Sequence, residues 1–157
     1  MKYLKYELYE KACSPYNVEE DEEEWAVQYR KFMQEFSQIS DRLPKLFLKE
    51  FGKKHFHDNI LNFISIEKIE IKKGYKYLLT MNLLDSCDDS ITHNLVFSDV
   101  KRFKSELDFT FFAGSSDWLY CEILPVDERR LSLEVILFDD SVIYFDFAKL
   151  RYRKIRR

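Results

Sequence analysis

The spacing of the apolar residues changes near residue 60, and this change restricts the fold more than any other feature of the chain. Between Trp25 and Phe36, apolar residues recur at the three- and four-residue intervals that place them on one face of a helix. In Tyr75–Leu83 and again in Leu131–Leu137, they occupy every second position, which is the pattern of a half-buried strand. The sequence therefore predicts helices first and strands afterwards.

Helices that precede a run of strands with short turns are typical of an α+β fold. We expect one domain over residues 1–157, with a helical part over about 1–56 and a sheet-forming part over about 57–157. The N-terminal helices should pack on one face of an antiparallel, meander-like sheet of about five to six strands. The chain is 17% aromatic, which supplies large apolar side chains for a core.

Three local signals refine this picture. Pro44 is expected to restart the helical region, and Gly52 to end it. Ile64 and Ile66 share one parity along the next strand, whereas Ile69 and Ile71 take the other. If all four side chains face the core, a bulge is required around Glu67–Lys68.

Charge and composition exclude several classes of protein. Lys and Arg number 25 against 28 Asp and Glu, and a net charge of −3 gives no general attraction to nucleic acid or to a membrane. Only 3 glycines are present, and no glycine-rich phosphate loop is found. Charges interrupt the start of the chain, and no apolar stretch reaches the ~18–20 residues of a membrane span. The 3 cysteines form no CxxC pair, so we expect a cytoplasmic protein with free thiols.

The segment His55-Phe56-His57-Asp58 is the first candidate for chemistry. It holds two of the 3 histidines, and it lies where the helical pattern gives way to the strand pattern. Together with His93, the histidines and Asp58 are weak candidate metal ligands, because a metal site needs three or four converging groups. The alternative is a structural joint in which His57 or Asp58 bonds the turning backbone. A His57–Asp58 acid–base pair would require a bent backbone, since neighbours on a strand face opposite sides.

Two further arrangements are weaker. Cys87 or Cys121 could pair with a histidine as a nucleophile and its base, but Cys121 lies in an apolar segment that predicts burial. Asp85, Asp88 and Asp89 could bind a cation, but their spacing is not that of a calcium loop, so a solvated turn is the simpler interpretation. We therefore expect no catalytic residue and no cofactor.

Charge is concentrated at two places. The acidic run contains Glu19, Glu20, Asp21, Glu22, Glu23 and Glu24. It suits the first turns of a helix, and its functional interpretation is a surface that meets a basic protein partner. The basic tail, residues 151–157, is a weak signal for phosphate contacts, because Tyr152 is the only aromatic residue within it.

Three segments carry a resemblance to a known group of proteins. They are Met1–Lys11, the His57-Asp58 step that leads into Ile60, and Trp118–Ile123 followed by the strand Leu131–Phe138. In these segments the chain resembles an uncharacterised family of small cytoplasmic proteins from low-GC Gram-positive bacteria, a domain of unknown function. The resemblance implies no activity and no catalytic residue, and it fits a structural role for His57-Asp58 as readily as a functional one.

The leading hypothesis from the sequence is a non-enzymatic protein-binding module of an immunity or regulatory type, whose partner is unknown. One alternative is a metal-dependent hydrolase that uses His55, His57 and Asp58. Another is nucleic-acid binding through the basic tail, which the acidic balance of the whole chain disfavours.

Overall fold

A computed structural model describes residues 1–14, 19–106 and 117–157. Within these ranges three α-helices precede the strands: α1 (Tyr6–Ala12), α2 (Glu19–Ser37) and α3 (Lys45–Lys54). Pro44 stands in extended backbone directly before α3, as expected of the residue that restarts the helical region. The predicted apolar helix face is present, since Phe32 and Phe36 of α2 are buried.

Eight strands follow in the described residues and form two four-stranded antiparallel sheets. The first sheet has the order β1-β2-β3-β8, and the second has the order β4-β7-β6-β5. The strands are β1 (Ile60–Ile71), β2 (Gly74–Leu84), β3 (Ile91–Ser98), β4 (Lys101–Glu106), β5 (Trp118–Pro125), β6 (Leu131–Leu137), β7 (Val142–Phe147) and β8 (Lys149–Arg156).

The α+β class and its antiparallel pairing are confirmed, whereas the strands divide between two sheets instead of forming one sheet of five or six. Three strands, β4, β5 and β8, were missing from the sequence analysis. The segment of β5 was recognised only as buried, and β8 was taken for a basic tail. The division arises at two corners: β3 runs directly into β4, and β7 runs directly into β8.

The helices and both sheets share one buried apolar cluster. Helix α3 packs against β8 and helix α2 packs against β5, so the helical layer contacts one strand of each sheet. The Phe47 ring of α3 lies 5.9 Å from the Tyr152 ring of β8, and the Trp25 ring of α2 lies 4.8 Å from the Tyr120 ring of β5. Among the described helices, none is long and apolar enough to cross a membrane.

The bulge in β1 lies elsewhere than predicted. The register with β2 shifts between Leu61 and Phe63, and it then continues unbroken to Ile71. The parity switch at Glu67–Lys68 therefore has another cause: Ile69 and Ile71 face away from the core instead of following a bulge back into it. The prediction failed because it assumed that every isoleucine of this strand is buried.

The N-terminal segment is held by a buried carboxylate. Glu122 of β5 is 1% exposed, and it accepts hydrogen bonds from the backbone N–H groups of Lys2, Tyr3 and Leu4 at 2.8, 2.7 and 2.5 Å. These three bonds supply the partners that a buried carboxylate requires. Glu122 thus has a structural role.

Candidate functional site

The joint His55–Asp58 turns the chain sharply from α3 into β1. His55, Phe56 and Asp58 have φ angles of 50°, 59° and 66°. Such left-handed backbone is costly for residues other than glycine, so it persists only where the surroundings hold it. Helix α3 thus ends two residues after Gly52, the predicted stop, and His55 is the residue that takes the left-handed position.

Hydrogen bonds and packing fix the joint in place. Asp58 N–H donates to the carbonyl of Trp118 at 2.9 Å, and Trp118 N–H donates to the carbonyl of Asn59 at 2.8 Å. The Asn59 side chain, 1% exposed, accepts from the backbone N–H of Ser86 at 3.2 Å. Phe56 is buried beneath the turn. The structural interpretation of this segment therefore has direct support.

His55 lies among the aromatic side chains of the helical layer. Its ring centre is 4.5 Å from that of Phe51 and 5.6 Å from that of Tyr29, and its carbonyl faces the Cys121 thiol at 3.9 Å. Burial lowers the pKa of His55, because the charged imidazolium is disfavoured away from water. The side chain is therefore a neutral packing group at neutral pH.

The side chains of His57 and Asp58 are in contact at the surface. The Nδ1 atom of His57 lies 2.8 Å from Oδ1 of Asp58, and its ring packs 5.1 Å from that of Tyr120. The bent backbone that such a pair requires is therefore present. The Asp58 side chain is 66% exposed, so solvent weakens the pair.

His93 belongs to a different cluster. It is 2% exposed, and its Nε2 and Nδ1 atoms lie 3.0 Å from Asp85 Oδ2 and 2.6 Å from the Tyr152 hydroxyl. The tautomer that satisfies both contacts donates from Nε2 to Asp85 and accepts at Nδ1 from the Tyr152 hydroxyl. Burial is the main cause that raises the pKa of Tyr152, so its hydroxyl keeps its proton.

A cleft of about 260 Å³ adjoins His93 and is lined in addition by Glu50, Cys87 and Lys154. Both nitrogens of His93 are engaged, so the ring offers no free lone pair to a substrate or to the Cys87 thiol. The Glu50 carboxylate is bound by Lys154 and by Lys53, at 3.0 and 3.1 Å. This arrangement holds β3 and β8 together, and it does not form a set of free catalytic groups.

The candidate metal ligands are not brought together. His55 lies in the helical layer, His57 pairs with Asp58 at the surface, and His93 is bound by Asp85 and Tyr152. Within residues 1–14, 19–106 and 117–157, no group of three or more His, Cys, Asp or Glu side chains is arranged to hold a metal ion.

Cys121 is not a nucleophile in this fold. The side chain is 1% exposed, and burial raises the pKa of its thiol to about 12. A thiol with that pKa remains protonated at neutral pH, whereas nucleophilic attack requires the thiolate. The predicted burial of this segment is confirmed.

The charged segments have different surroundings. Glu22, Glu23 and Glu24 lie exposed on α2, while the side chains of residues 19–21 fall outside the described part of the chain. A role of this run in partner binding stays a prediction. The basic tail is not a free end: Lys154 is paired with Glu50, and Arg156 with Asp88, both at 3.0 Å.

The carboxylates of the Asp85–Ser90 turn serve the turn itself. Asp85 Oδ1 accepts from the backbone N–H groups of Cys87 and Asp88 at 2.9 and 3.2 Å. Asp88 Oδ1 accepts from Ser90 through its N–H and its hydroxyl at 3.1 and 2.6 Å. These bonds agree with the predicted solvated turn.

The outer side of β1 is the surface that sequence reasoning missed. β1 is the edge of the first sheet, and Phe63, Ile69 and Ile71 are 46%, 38% and 38% exposed on its outer face. Beyond Leu78 the paired strands β1 and β2 continue without β3, so Lys68–Tyr77 forms a two-stranded projection, here called the ribbon. The sequence contains a sign of this surface, because Ile69 and Ile71 take the opposite parity to Ile64 and Ile66. The sequence analysis assigned this change of parity to a bulge.

No protein-family model matches the chain, and no curated protein or solved structure matches it significantly. The resemblance of three short segments to an uncharacterised bacterial family therefore stays a prediction. Any inference about function depends on the surfaces and clusters described above.

Proposed function

We propose that this protein is a non-enzymatic protein-binding module, of an immunity or regulatory type, and that its partner binds at the β1 edge. The observation that carries the proposal is the row of exposed apolar side chains on this edge strand. Phe63, Ile69 and Ile71 all lie on its outer face, opposite to the face that covers the core.

An edge strand offers N–H and C=O groups that another strand can pair with. Soluble proteins usually protect long edges with charges, prolines, bulges or a covering loop, because an unprotected edge promotes association. From Leu61 onward, β1 pairs only with β2 within the described residues, and its charged residues, Glu67, Lys68 and Glu70, are confined to its second half. An extended segment of a partner can therefore extend the first sheet by strand addition, while the exposed isoleucines provide apolar contacts.

The contacts of the three histidines and the location of the exposed apolar side chains also support the proposal. The histidines of the joint pack or pair locally, and His93 is bound at both nitrogens. The large apolar side chains that remain exposed are concentrated on β1 and on the ribbon. Concentrated apolar surface of this kind marks interaction sites in soluble proteins.

The test replaces Ile69 by glutamate. Ile69 is paired with Lys76 across the β1–β2 ladder, so the new carboxylate gains an opposite charge and the hairpin should be retained. The matched control is Phe138→Glu, because Phe138 is exposed and lies in the turn between β6 and β7. Wild type and both variants are immobilised and used to capture proteins from a native lysate.

We expect wild type and Phe138→Glu to retain the same partner, and Ile69→Glu to retain less than about a tenth of it, since a charge replaces apolar contact at the strand interface. Retention of an identical set of proteins by all three would refute the β1 edge as the binding surface. If wild type retains nothing above an inert-protein control, the protein-binding function itself is refuted.

A further inference from the structure

The two sheets separate next to the ribbon and leave a groove. The β2–β3 ladder ends at Leu78 and Ser98, and the last link beyond it is the hydrogen bond from Val100 N–H to the Tyr77 carbonyl at 3.0 Å. Asp99, with a φ angle of 56°, then turns the chain into β4. Between the ribbon and β4 remains a cavity of about 400 Å³, here called the ribbon groove.

The walls of the ribbon groove are mainly apolar. They are formed by Ile66, Tyr75, Tyr77, Val100 and Phe103. Val100 is 4% exposed and joins the core, and the Phe103 ring stacks 6.4 Å from the core ring of Phe145, so one side of the groove is anchored. On the other side, Lys68 Nζ lies 3.7 Å from the centre of the Tyr75 ring, and this cation–π contact orients the ring.

The charges around the groove are predominantly positive. Lys76, Lys101 and Arg102 line it together with Asp99, whose carboxylate is paired with Arg130 at 3.0 Å. Arg102 reaches Asp146 only through Nε at 3.5 Å. Lys101 forms no ion pair with a described residue, so the groove carries uncompensated positive charge on a chain whose net charge is −3. The Lys76 side chain lies on the other face of the ribbon, with its cross-strand partner Ile69.

We propose that the ribbon groove binds a small organic acid with an apolar, preferably aromatic, body and a carboxylate group. The apolar body would lie between Tyr75 and Phe103, and the carboxylate would meet Lys101. Small-molecule pockets typically measure ~300–1,000 Å³ and combine apolar walls with a few polar groups. A groove of about 400 Å³ is at the lower end of that range, which fits a ligand of this size.

Charge decides between ligands of the same shape. An ammonium group in place of the carboxylate would face Lys101 and be repelled, whereas a neutral amide would gain only the apolar contacts. The groove lies on the core-facing side of the ribbon, since Tyr77 is paired with Lys68 on the face that carries Leu79 and Ile66. Ile69 is on the opposite face, so ligand binding and partner binding at the β1 edge can be separated.

The probe is biphenyl carboxylate, compared with its carboxamide and its aminomethyl counterpart. Binding is followed by backbone amide chemical shifts of the full chain, which also report whether each variant is folded. We expect saturable shifts at Tyr75–Tyr77 and Lys101–Phe103, and an affinity for the carboxylate about fivefold above that for either counterpart, as for a partly exposed ion pair.

Two variants test the two halves of the site. Lys101→Glu should weaken carboxylate binding about tenfold or more, because it replaces attraction by repulsion, while Lys49→Glu on α3 is the charge-matched control. Tyr75→Ser should weaken all three probes, with Phe138→Ser as control; the two aromatic rings are 58% and 57% exposed, so the substitutions are equivalent in burial.

The proposal is overturned if the carboxylate gives no saturable shifts, if it binds no better than its counterparts, or if Lys101→Glu behaves like Lys49→Glu. Ile69→Glu provides the separation from the protein-binding proposal. It should leave carboxylate binding unchanged, so loss of the groove site and loss of the β1 partner site are distinguishable results.

Discussion

The first sheet has two edges, and they differ in how they are protected. On β8, the outward positions Arg151 and Arg153 are charged, although Ile155 near its end is exposed. On β1, the outward positions Phe63, Ile69 and Ile71 are apolar, and Ser65 and Glu67 lie between them on the same face. Positive charge on an edge strand discourages pairing with another chain, because an added strand would have to place its own side chains against that charge.

The two edges also differ on the side that faces the protein. Leu150 and Tyr152 of β8 are buried under α3, and Lys154 is tied to Glu50 of that helix. In contrast, the end of β1 belongs to the ribbon, where Tyr75 and Tyr77 of the paired strand are 58% and 43% exposed. One edge is thus built into the core and the other extends beyond it. The difference supports a stabilising role for β8, and it leaves β1 exposed as the surface on which the proposed partner would bind.

The largest expected effect concerns stability. Tyr152→Ala removes a buried ring and leaves Nδ1 of His93 without the hydroxyl that it contacts at 2.6 Å. We expect a loss of about 3–5 kcal/mol in the free energy of unfolding, as for other buried aromatic residues. Urea unfolding followed by circular dichroism measures it.

The matched variant on the other side of the sheet is Tyr75→Ala. Because this ring is exposed on the ribbon, its removal should cost less than about 1 kcal/mol. Equal losses for Tyr152→Ala and Tyr75→Ala would show that the two edges contribute alike to stability, and the comparison would fail.

The second prediction makes β8 resemble β1. The double variant Arg151→Val/Arg153→Val replaces the charges of the β8 edge by β-branched apolar residues on the outward face. We expect its self-association constant to rise by about tenfold or more over wild type, since burying one large apolar side chain contributes ~1.5–3 kcal/mol. Sedimentation velocity over a concentration series measures this constant.

Arg151→Lys/Arg153→Lys is the control for this variant, because it changes the side chains and keeps the charge. It should associate as wild type does. If the valine variant remains as dispersed as the lysine variant, charge is not what protects the β8 edge.

The third prediction concerns the joint His55–Asp58, which leads from α3 into the edge strand β1. Burial lowers the pKa of His55 in the folded protein, whereas the unfolded chain takes up the proton at the ordinary value of ~6.5. The unfolded state therefore binds more protons as the pH falls through that value. The stability that the neutral side chain supports is complete above it and declines below it.

His55→Asn removes this titration and suits the left-handed backbone, which asparagine tolerates better than most residues. Between about pH 8 and pH 5, its free energy of unfolding should vary less than that of wild type. This difference between the two proteins should be smaller than the loss of stability caused by Tyr152→Ala. Parallel curves for wild type and His55→Asn would contradict the burial argument.

Much of the fold could be predicted because most of its apolar residues follow simple periods. The α2 face and the alternation in β2 each have one buried side, so their patterns indicated the correct elements, and in β6 the apolar residues alternate with Ser132 and Glu134. In β5, by contrast, Trp118–Ile123 is nearly all apolar and shows no period of two, since both of its faces are largely buried. A run of this kind indicates burial without indicating its secondary structure.

The β8 strand was missed although its alternation is present. Leu150 and Tyr152 alternate with Arg151 and Arg153, but the charges were interpreted as a solvated tail. The convergence of Asp85, His93 and Tyr152 could not be predicted, because it depends on the pairing of β3 with β8 across a long sequence separation. The ribbon groove could not be predicted for the same reason, because it lies between strands of two different sheets.

The β1 edge was missed for a different reason. The sequence analysis assigned four isoleucines of β1 to the core because they are apolar. It therefore required a bulge to turn Ile69 and Ile71 to the same face as Ile64 and Ile66. The observed register shows instead that Ile69 and Ile71 break the pattern because they face outward. Apolar residues that contradict the period of a strand therefore indicate an exposed apolar surface, and the bulge interpretation removed that signal.

The most direct test of the central claim is amide hydrogen exchange of the full chain, free and bound to the partner captured by wild type. Strand addition should slow exchange in Leu61–Ile71 by about tenfold or more, because edge N–H groups become hydrogen-bonded. Exchange in β8 and around Glu22–Glu24 should remain unchanged. Protection confined to β8 or to the start of α2, with β1 unaffected, would contradict the account.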